Sequence, residues 1–297
     1  MKHDRDSKEN LENFDLVLKN SSFSSPQRRW IIKELQSRIR TGVIAREDSY
    51  RWIRDLCERS AEGEPLQYLL QRWEFRHLEL FLDHRVLIPR PETELIVDIV
   101  LDILRQTETA SCAFEKEKIV VDLGVGSGAI ALSIASEFDL VKVLGTEVSS
   151  EALEVAVMNL QKVSLDRGIN LVDKVDLKLG SYFDPLPSSL CGRLDVVVSN
   201  PPYLSEELYR CAPTTVRNYE PKIALTPGPT GLEAICVIVS ESRKWLVPGG
   251  ALVVEISPEQ SQRVQRLLEE NGFMKIKVVN DLTGRQRFVV GVKQLVQ

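Results

Sequence analysis

The sequence of 297 residues is poor in the side chains that build metal sites and disulfide frameworks. Its three histidines, His3, His77 and His84, have no metal-ligand spacing to any cysteine. An odd number of scattered cysteines without a C-x-x-C pair is typical of a reducing compartment. We therefore expect no metal site and no disulfide framework. The five cysteines lie at positions 57, 112, 191, 211 and 236.

Long apolar runs are also absent. No stretch of about 18 uncharged apolar residues is present, so we expect no transmembrane helix. The first residues, Met1 to Asp6, lack both the apolar core of a signal peptide and the acid-poor, Arg-rich and Ser-rich bias of an organellar transit peptide. The expected location is the cytoplasm, and an organellar matrix remains open if a targeting segment has been removed.

The net charge of −5 is unevenly distributed. Residues 1–85 carry 16 Lys and Arg against 15 Asp and Glu, so the acidic excess lies in the remainder. An acidic excess in residues 86–297 argues against stable binding of nucleic acid, because contacts to phosphate are mainly electrostatic. The basic residues between Arg28 and Arg59 form either a docking surface for a macromolecular partner or an ordinary solvated helix face.

The pattern of apolar residues divides the chain into three parts. Residues 1–72 place apolar side chains at helical spacing, which predicts a small helical N-terminal domain. Residues 73–90 predict a β-hairpin linker, with one strand at 73–82, a turn at 83–85 and a return at 86–88. Residues 91–297 form the third part, in which apolar runs alternate with helix-like segments.

This alternation predicts an α/β fold with a parallel, doubly wound sheet of seven strands. The expected helices cover 130–137, 150–163, 231–246 and 258–271. The expected strands cover 119–122, 142–145, 175–178, 195–198, 251–255, 274–279 and 287–292.

A glycine-rich segment, Asp122 to Ala129, follows the first of these strands and opens a helix. Its glycines let the backbone approach a ligand closely, and a helix N-terminus offers free N–H groups. The spacing also satisfies the G-x-G-x-x-G/A dinucleotide pattern, and Glu147 ends the next strand where an acid binds ribose hydroxyls. On the glycines alone, NAD and S-adenosylmethionine both remain open, as does a tight turn without a ligand.

A second motif, Asn200-Pro201-Pro202-Tyr203, closes the strand at 195–198. The Asn200 side-chain oxygen and the Pro201 carbonyl can each accept a hydrogen bond from one –NH₂ group, while Tyr203 stacks on the attached planar system. The motif resembles that of the amino methyltransferases, whereas a dehydrogenase has no obvious use for it. This favours S-adenosylmethionine, although an ordinary Pro-Pro turn after a buried strand remains the alternative.

Four segments together resemble the release-factor glutamine methyltransferases, also called the HemK or PrmC family. They are Ile88 to Glu94, which contains Pro-Arg-Pro-Glu-Thr-Glu; Asp122 to Leu132; the Asn-Pro-Pro-Tyr motif; and Tyr219 to Leu225. The resemblance implies a class I methyltransferase sheet and a helical domain that holds a folded release factor. The implied substrate is the glutamine of the Gly-Gly-Gln motif, methylated on its side-chain nitrogen.

The resemblance also implies roles for individual residues. The residues implied to bind S-adenosylmethionine are Gly124, Val125, Gly126, Ser127, Gly128, Glu147, Tyr182 and Asn200. The residues implied to bind the glutamine and to promote transfer are Asn200, Pro201, Pro202 and Tyr203, with Arg90 and Glu92 as further substrate contacts. Val125 replaces the usual small polar residue, and Glu147 stands where most relatives have Asp.

Three other functions stay open at this point. A related enzyme methylates adenine or guanine in nucleic acid, which also present –NH₂ on a planar ring system. A non-catalytic module keeps the cofactor fold without turnover, and a nicotinamide dehydrogenase is the third alternative. We expect release factors as protein partners, no membrane association, no stable nucleic-acid binding, and a monomer.

Overall fold

The computed structural model describes residues 23–109 and 116–294, together with Phe14, residues 17–19 and Ser21, and only the backbone of 107–109. His3 and Cys112 therefore lie outside the described residues. The chain divides into two compact units. The first comprises Met1–Arg72 and Thr214–Tyr219, and the second comprises Trp73–Pro213 and Glu220–Gln297.

Within the described residues, helices and strands follow the order expected from the alternating pattern. The helices are α1 (Ser25–Arg40), α2 (Ser49–Ala61), α3 (Leu66–Leu70), α4 (Glu94–Thr109), α5 (Ala129–Glu137), α6 (Ser150–Arg167), α7 (Glu206–Cys211), α8 (Thr214–Tyr219), α9 (Glu233–Trp245) and α10 (Ser261–Glu270). The strands are β1 (Trp73–Phe75), β2 (Leu78–Leu80), β3 (Lys118–Leu123), β4 (Val141–Glu147), β5 (Val175–Leu179), β6 (Leu194–Ser199), β7 (Leu246–Glu255), β8 (Phe273–Asn280) and β9 (Gln286–Lys293).

The first unit is helical. Its core is formed by apolar side chains of α1, α2 and α3, among them Ile31, Leu35 and Ile53, each at most 1% exposed. Helix α8, which the pattern of the N-terminal residues does not predict, belongs to this unit. Its last residue, Tyr219, donates its hydroxyl to the carbonyl of Glu62 over 3.1 Å. The unit is therefore built from two separate stretches of the chain.

The second unit contains the predicted seven-stranded sheet, in the order β5-β4-β3-β6-β7-β9-β8. The α/β class is confirmed. Strand β3 lies between β4 and β6 and is parallel to both, so the strand order reverses beside it. In an open α/β sheet such a reversal leaves a crevice at the carboxyl ends of the strands. The central strands β6 and β7 are buried, which explains their continuous apolar sequence.

The prediction of a wholly parallel sheet is wrong for one strand. Strand β9 pairs antiparallel with both β7 and β8, so the sheet is mixed. The reason is the short connection at 281–285, where the Asp281 N–H donates to the carbonyl of Arg285 and Gly284 has φ +84°. Two strands joined by so short a turn can only pair antiparallel.

The hairpin is present, but its predicted turn is wrong. Strands β1 and β2 pair antiparallel around Arg76 and His77, and the stretch 86–88 forms no strand. Arg76 adopts φ +53°. Its N–H donates to Glu94 over 2.9 Å, and its guanidinium donates twice to Glu137 over 2.7 Å. These tertiary contacts fix a turn that no Gly, Pro or Asn marks in the sequence.

Two leucines provide a test of the sheet packing. Leu252 in β7 has no exposed surface, whereas Leu282 in the β8–β9 turn is 93% exposed. Leu252→Ala leaves a cavity among packed strands, so we expect the free energy of unfolding to fall by about 2–5 kcal/mol. Leu282→Ala should change it by less than about 0.5 kcal/mol. Urea unfolding followed by circular dichroism measures both, and equal losses would contradict the described core.

Candidate active site

A cavity of about 430 Å³ lies at the carboxyl ends of β3, β4 and β6. Five segments that the sequence singled out or left unassigned contribute to its lining. They are the glycine-rich loop after β3, the end of β4 at Glu147, Tyr182 after β5, the corner after β6 at Asn200 and Pro202, and the segment from Arg85 to Thr93. The strand reversal thus brings the two sequence motifs to one space.

The glycine-rich loop presents its backbone to this cavity. The N–H groups of Gly124 and Val125 both donate to the Thr146 carbonyl, over 2.8 and 2.9 Å, which holds the loop against β4. Gly124 has φ +76°, and a Cβ atom built on it meets no described atom within 4 Å. The space facing this backbone is therefore open to a ligand. Any side chain at Gly124 would project into it and strain the backbone.

Gly128 differs from the other predicted cofactor residues because it does not line the cavity. It precedes α5 with φ +86°, and a Cβ atom on it would lie 3.0 Å from Leu132 Cδ1. Its position fits close packing at the start of the helix.

Glu147 joins the end of β4 to the glycine-rich loop. Its carboxylate accepts hydrogen bonds from the N–H groups of Gly126, over 2.9 Å, and Ser149, over 3.0 Å. The side chain is only 8% exposed, yet it lines the cavity. The longer side chain of Glu, compared with Asp, allows the carboxylate to reach back to Gly126 while keeping an acceptor for a ligand hydroxyl.

Asp122, just before the glycines, is a second buried acid. Its Oδ2 accepts the N–H of Ala131 over 3.1 Å, whereas Oδ1 has no hydrogen-bond partner among the described residues. Burial, opposed by the Ala131 N–H and assisted by the charge of Glu147, raises the pKa of this carboxyl to about 7. Asp122 therefore titrates near neutral pH.

Tyr182 follows β5 and covers another part of the cavity. Its backbone has φ +43°, a left-handed conformation that costs a non-glycine residue about 1–3 kcal/mol. The preceding turn is held to β4 by the Gly180 N–H, which donates to the Glu147 carbonyl over 2.8 Å. Burial, and then Glu147, raise the pKa of the phenol. Such strain at a cavity wall is typical of a position selected for ligand contact.

The corner after β6 has one defined side-chain contact at the cavity. Asn200 Nδ2 donates to Thr93 Oγ1 over 3.3 Å. This bond uses the amide nitrogen and leaves Asn200 Oδ1 as a free acceptor. Within the described part of the chain, no donor is found for Oδ1 or for the carbonyl of Pro201. Pro201 itself does not line the cavity, whereas Pro202 does.

Tyr203 lies outside the cavity lining. Its hydroxyl donates to Glu255 Oε1 over 3.3 Å, and its carbonyl accepts from Gln260 Nε2 over 2.9 Å. Burial, followed by the charge of Glu255, raises the pKa of the phenol well above its ordinary value. These contacts anchor the corner to β7, and the predicted stacking of Tyr203 on a substrate stays a prediction.

Arg90 and Glu92 also lie outside the lining. Arg90 Nη2 donates to Glu220 Oε1 over 2.5 Å, and Glu220 also accepts the Ile88 N–H over 3.2 Å. Because Glu220 is buried, this pair holds the neighbouring segment in place. Pro89 and Thr93 of that segment line the cavity. Direct substrate contacts of Arg90 and Glu92 stay predictions.

Three residues at the site were missed by sequence reasoning. Thr93 lies within the Pro-Arg-Pro-Glu-Thr-Glu segment and Glu255 ends β7, and no role at the site was predicted for either. Asn159 in α6 had no local signal at all. It is fully buried and donates to the carbonyls of Phe81 and Ser127, over 3.0 and 2.9 Å. For Glu255, a charged residue inside the apolar run 251–256 was the available clue.

The described residues contain no group of three or more His, Cys, Asp or Glu side chains placed to hold a metal ion. Among the same residues, no helix is long and apolar enough to cross a membrane.

Comparisons with known proteins agree with this geometry. The family model described as methyltransferase small domain matches residues 97–212. A release factor glutamine methyltransferase from Caulobacter vibrioides is 38% identical over 241 residues, which are 81% of this chain and 78% of the relative. One from Rhodopirellula baltica is 34% identical over 247 residues, covering 83% and 79%.

Among solved structures, the hMettl16 catalytic domain in complex with the MAT2A 3'UTR hairpin 6 has a TM-score of 0.56 at 17% identity. The match covers 78% of this chain and 80% of that chain. At this identity the likeness shows a shared fold and nothing about the substrate.

The buried Asp122 provides a prediction about stability. Its pKa rises from 3.8 to about 7 on folding, so between these pH values the folded state keeps a proton that the unfolded chain has lost. Stability therefore falls as the pH rises through this window, by an amount on the order of 4 kcal/mol for about three pKa units. Asparagine carries no charge, so Asp122→Asn should raise the melting temperature more at pH 8 than at pH 5.

Thermal unfolding at the two pH values measures the difference between variant and wild type. Asp139→Asn is the control, because it makes the same chemical change in a side chain that is fully exposed. The same shift for Asp122→Asn at both pH values would contradict a carboxyl that titrates near 7.

Proposed function

Because the chain belongs to the release factor glutamine methyltransferase family, we propose that it transfers a methyl group from S-adenosylmethionine to the side-chain amide nitrogen of a release-factor glutamine. Membership confirms the family predicted from the sequence. The proposed target is the glutamine of the Gly-Gly-Gln motif, and the product is N5-methylglutamine. The proposed location is the cytoplasm and the proposed state a monomer.

The cavity fits S-adenosylmethionine better than a nicotinamide dinucleotide. The charged residues in its lining are Arg85, Glu147 and Glu233. Arg85 is already paired with Asp83 and Glu154, over 2.7 and 3.0 Å. A net acidic lining disfavours a diphosphate and favours a cationic ligand. The open face of Gly124 and the acceptor at Glu147 provide room and a hydroxyl partner beside this charge.

One contact supports the reaction most directly. Because Asn200 gives its amide nitrogen to Thr93, its Oδ1 and the neighbouring Pro201 carbonyl are two acceptors at adjacent positions. A primary amide has two N–H groups, and each acceptor can hold one of them. The substrate nitrogen would thereby be held at the corner that borders the glycine-rich loop.

The chemistry of the amide explains why holding it matters. Its nitrogen is a poor nucleophile, because the lone pair is delocalised into the carbonyl. Within the described chain, no His, Lys or Cys lines the cavity to act as a covalent catalyst or base. S-adenosylmethionine supplies an electrophilic methyl group when bound. The two acceptors hold both N–H groups and aim the nitrogen at the methyl group, and such alignment lowers a barrier by about 7–11 kcal/mol in favourable cases. The methylated nitrogen then loses one proton to water.

The helical first unit is the proposed docking site for the folded release factor. It exposes a set of basic side chains, which suits an acidic protein partner. The exposed basic residues among the described part of this unit are Lys19, Arg29, Lys33, Arg40, Arg46, Arg51, Arg54 and Arg217.

Glu147 should determine cofactor affinity. Its carboxylate both holds Gly126 and offers an acceptor to the ribose, so Glu147→Ala should weaken S-adenosylmethionine binding by about 10- to 100-fold. Isothermal titration calorimetry measures the dissociation constant. Glu269→Ala, which removes an exposed acid on α10, is the control and should leave it unchanged. Equal affinity for S-adenosylmethionine in Glu147→Ala and the wild type would contradict the ribose assignment.

A rise in melting temperature with NAD instead of S-adenosylmethionine would favour a dehydrogenase.

Asn200 should determine turnover. Asn200→Ala removes one of the two acceptors, so we expect kcat to fall by about 100-fold or more while the S-adenosylmethionine dissociation constant changes less than about twofold. Mass spectrometry of a purified release factor counts the added methyl groups. Asn170→Ala, at an exposed asparagine outside the cavity lining, is the matched control.

A release factor whose Gly-Gly-Gln glutamine is replaced should gain no methyl group. Full activity of Asn200→Ala would contradict the proposal that Asn200 holds the substrate nitrogen. Cofactor binding without transfer to any release factor would instead favour a nucleic-acid substrate or a silent binding module.

A further inference from the structure

Glu255 lies directly behind the corner that carries Asn200. It ends β7, next to β6, and its side chain is 1% exposed. The Tyr203 hydroxyl donates to Oε1 over 3.3 Å, whereas Oε2 has no hydrogen-bond partner among the described residues. The Thr93 side chain lies beside the same carboxyl and lowers its pKa. Thr93 is in turn the acceptor for Asn200 Nδ2. Thr93 thus lies between a buried carboxyl with an open acceptor and the side chain proposed to hold the substrate.

The direction in which the Thr93 hydroxyl donates depends on the charge of Glu255. An ionised carboxylate can only accept, and Oε2 is the unfilled acceptor beside Thr93, so the Thr93 hydroxyl turns its one proton to Glu255. The Thr93 oxygen then faces Asn200 with lone pairs only and requires a donor there. Asn200 must therefore turn its –NH₂ toward Thr93 and its Oδ1 away. The two ends of a side-chain amide are nearly equal in shape, so hydrogen-bond partners decide which way it points.

We propose that Glu255 is a positioning residue that acts through Thr93 to fix the orientation of the Asn200 amide, so that Oδ1 and not Nδ2 is presented to the substrate nitrogen. This inference rests on the proposed function, in which Asn200 Oδ1 accepts a substrate N–H. A reversed Asn200 would present a donor to a donor, and the substrate amide would lose one of its two acceptors.

The surroundings of Glu255 make this orientation sensitive to pH. Arg287 on β9, Tyr203 after β6, and Thr93 and Glu92 from the turn before α4 face its carboxyl. Burial raises its pKa to about 7, against the lowering effects of Thr93, Arg287 and Tyr203, and Glu92 adds a smaller increase. Above pH 7 the carboxylate enforces the productive orientation. Below it, the protonated carboxyl can donate to Thr93, and the constraint on Asn200 is lost. Activity should rise with pH through this range.

A merely structural role would give a different result from a positioning role. Glu255→Gln keeps the size of the side chain, but its –NH₂ can donate to Thr93 and its charge does not change with pH. Thr93→Val keeps the shape and removes the hydroxyl, whereas Thr93→Ser keeps the hydroxyl and removes a methyl group. Ser49→Ala is the control for loss of a buried hydroxyl, since Ser49 lies in the helical unit and its Oγ has no partner among the described residues.

The first measurement needs no cofactor and no substrate. In ¹H–¹⁵N spectra of the full chain, the Asn200 side-chain –NH₂ signals are assigned by their loss in Asn200→Ala. We expect these signals to shift between pH 6 and 8.5 with a midpoint near 7 in the wild type, and to stay constant in Glu255→Gln. Signals that do not titrate in the wild type, or that titrate equally in Glu255→Gln, would overturn the inference.

The second measurement is methyl transfer to the release factor across the same pH range. At pH 8 we expect Glu255→Gln and Thr93→Val each to lower kcat about tenfold, with KM for the release factor and the S-adenosylmethionine dissociation constant within about twofold of wild type. Thr93→Ser should restore most of kcat and keep the pH dependence. A kcat equal to that of the wild type in both Glu255→Gln and Thr93→Val would also overturn the inference.

Melting temperatures show whether the variants fold. If Glu255→Gln does not fold, the comparison of Thr93→Val with Thr93→Ser decides the outcome, since neither changes a charge. If the wild type transfers no methyl group to a release factor, the proposed function has failed. The titration of the Asn200 signals still tests the orientation of the amide in that case.

Discussion

The pairing of β3 with β6 is the constraint on which the site depends. Both strands run in the same direction, with Asp122 opposite Val198, so the residues that follow them emerge at the same edge of the sheet. The Ser199 hydroxyl donates to the Leu123 carbonyl over 2.6 Å and locks the two ends together. A slip of one residue would turn the side chains of β6 to the opposite face and separate Asn200 from the glycine-rich loop.

Three buried acids lie beside the cavity, and their hydrogen-bond donors differ. Glu147 receives two backbone N–H groups, Asp122 receives one, and Glu255 receives the Tyr203 hydroxyl. Burial raises the pKa of Asp122 and that of Glu255. Placing two carboxyls of this kind in the interior lowers stability at neutral pH. Their position beside the cavity is where such a cost is commonly found.

The parts of the fold that were predictable from the sequence are those encoded by local patterns. The Val-rich run of β6 and the glycines after β3 define strand and turn without help from distant residues. The direction of β9, the turn at Arg76 and the place of α8 depend on contacts far along the chain, such as that of Arg76 with Glu137. Periodicity carries no information about these contacts.

The same division applies within the site. Gly124 and Asn200 belong to recognisable motifs, and the structure brings them to one cavity. Thr93, Asn159 and Glu255 contact that machinery from elements that are distant in sequence. Each is a buried polar residue, and only the tertiary structure shows which partner satisfies it. Sequence reasoning therefore identified groups proposed to touch ligands, and it missed the groups that hold them in place.

Positioning residues gain importance when a site has no strong base or covalent nucleophile. Rate then depends on the orientation of one amide against another, and an amide that turns over exchanges an acceptor for a donor with almost no change in shape. Packing alone cannot prevent this exchange, because the two orientations fill the same volume. A hydrogen-bond partner with a single allowed direction can prevent it. A buried carboxylate is such a partner, since it accepts and never donates, and a hydroxyl between it and Asn200 transmits that direction. Because the cavity has no base or covalent nucleophile, the orientation of the Asn200 amide has to be fixed. A buried, charged acceptor can fix that orientation.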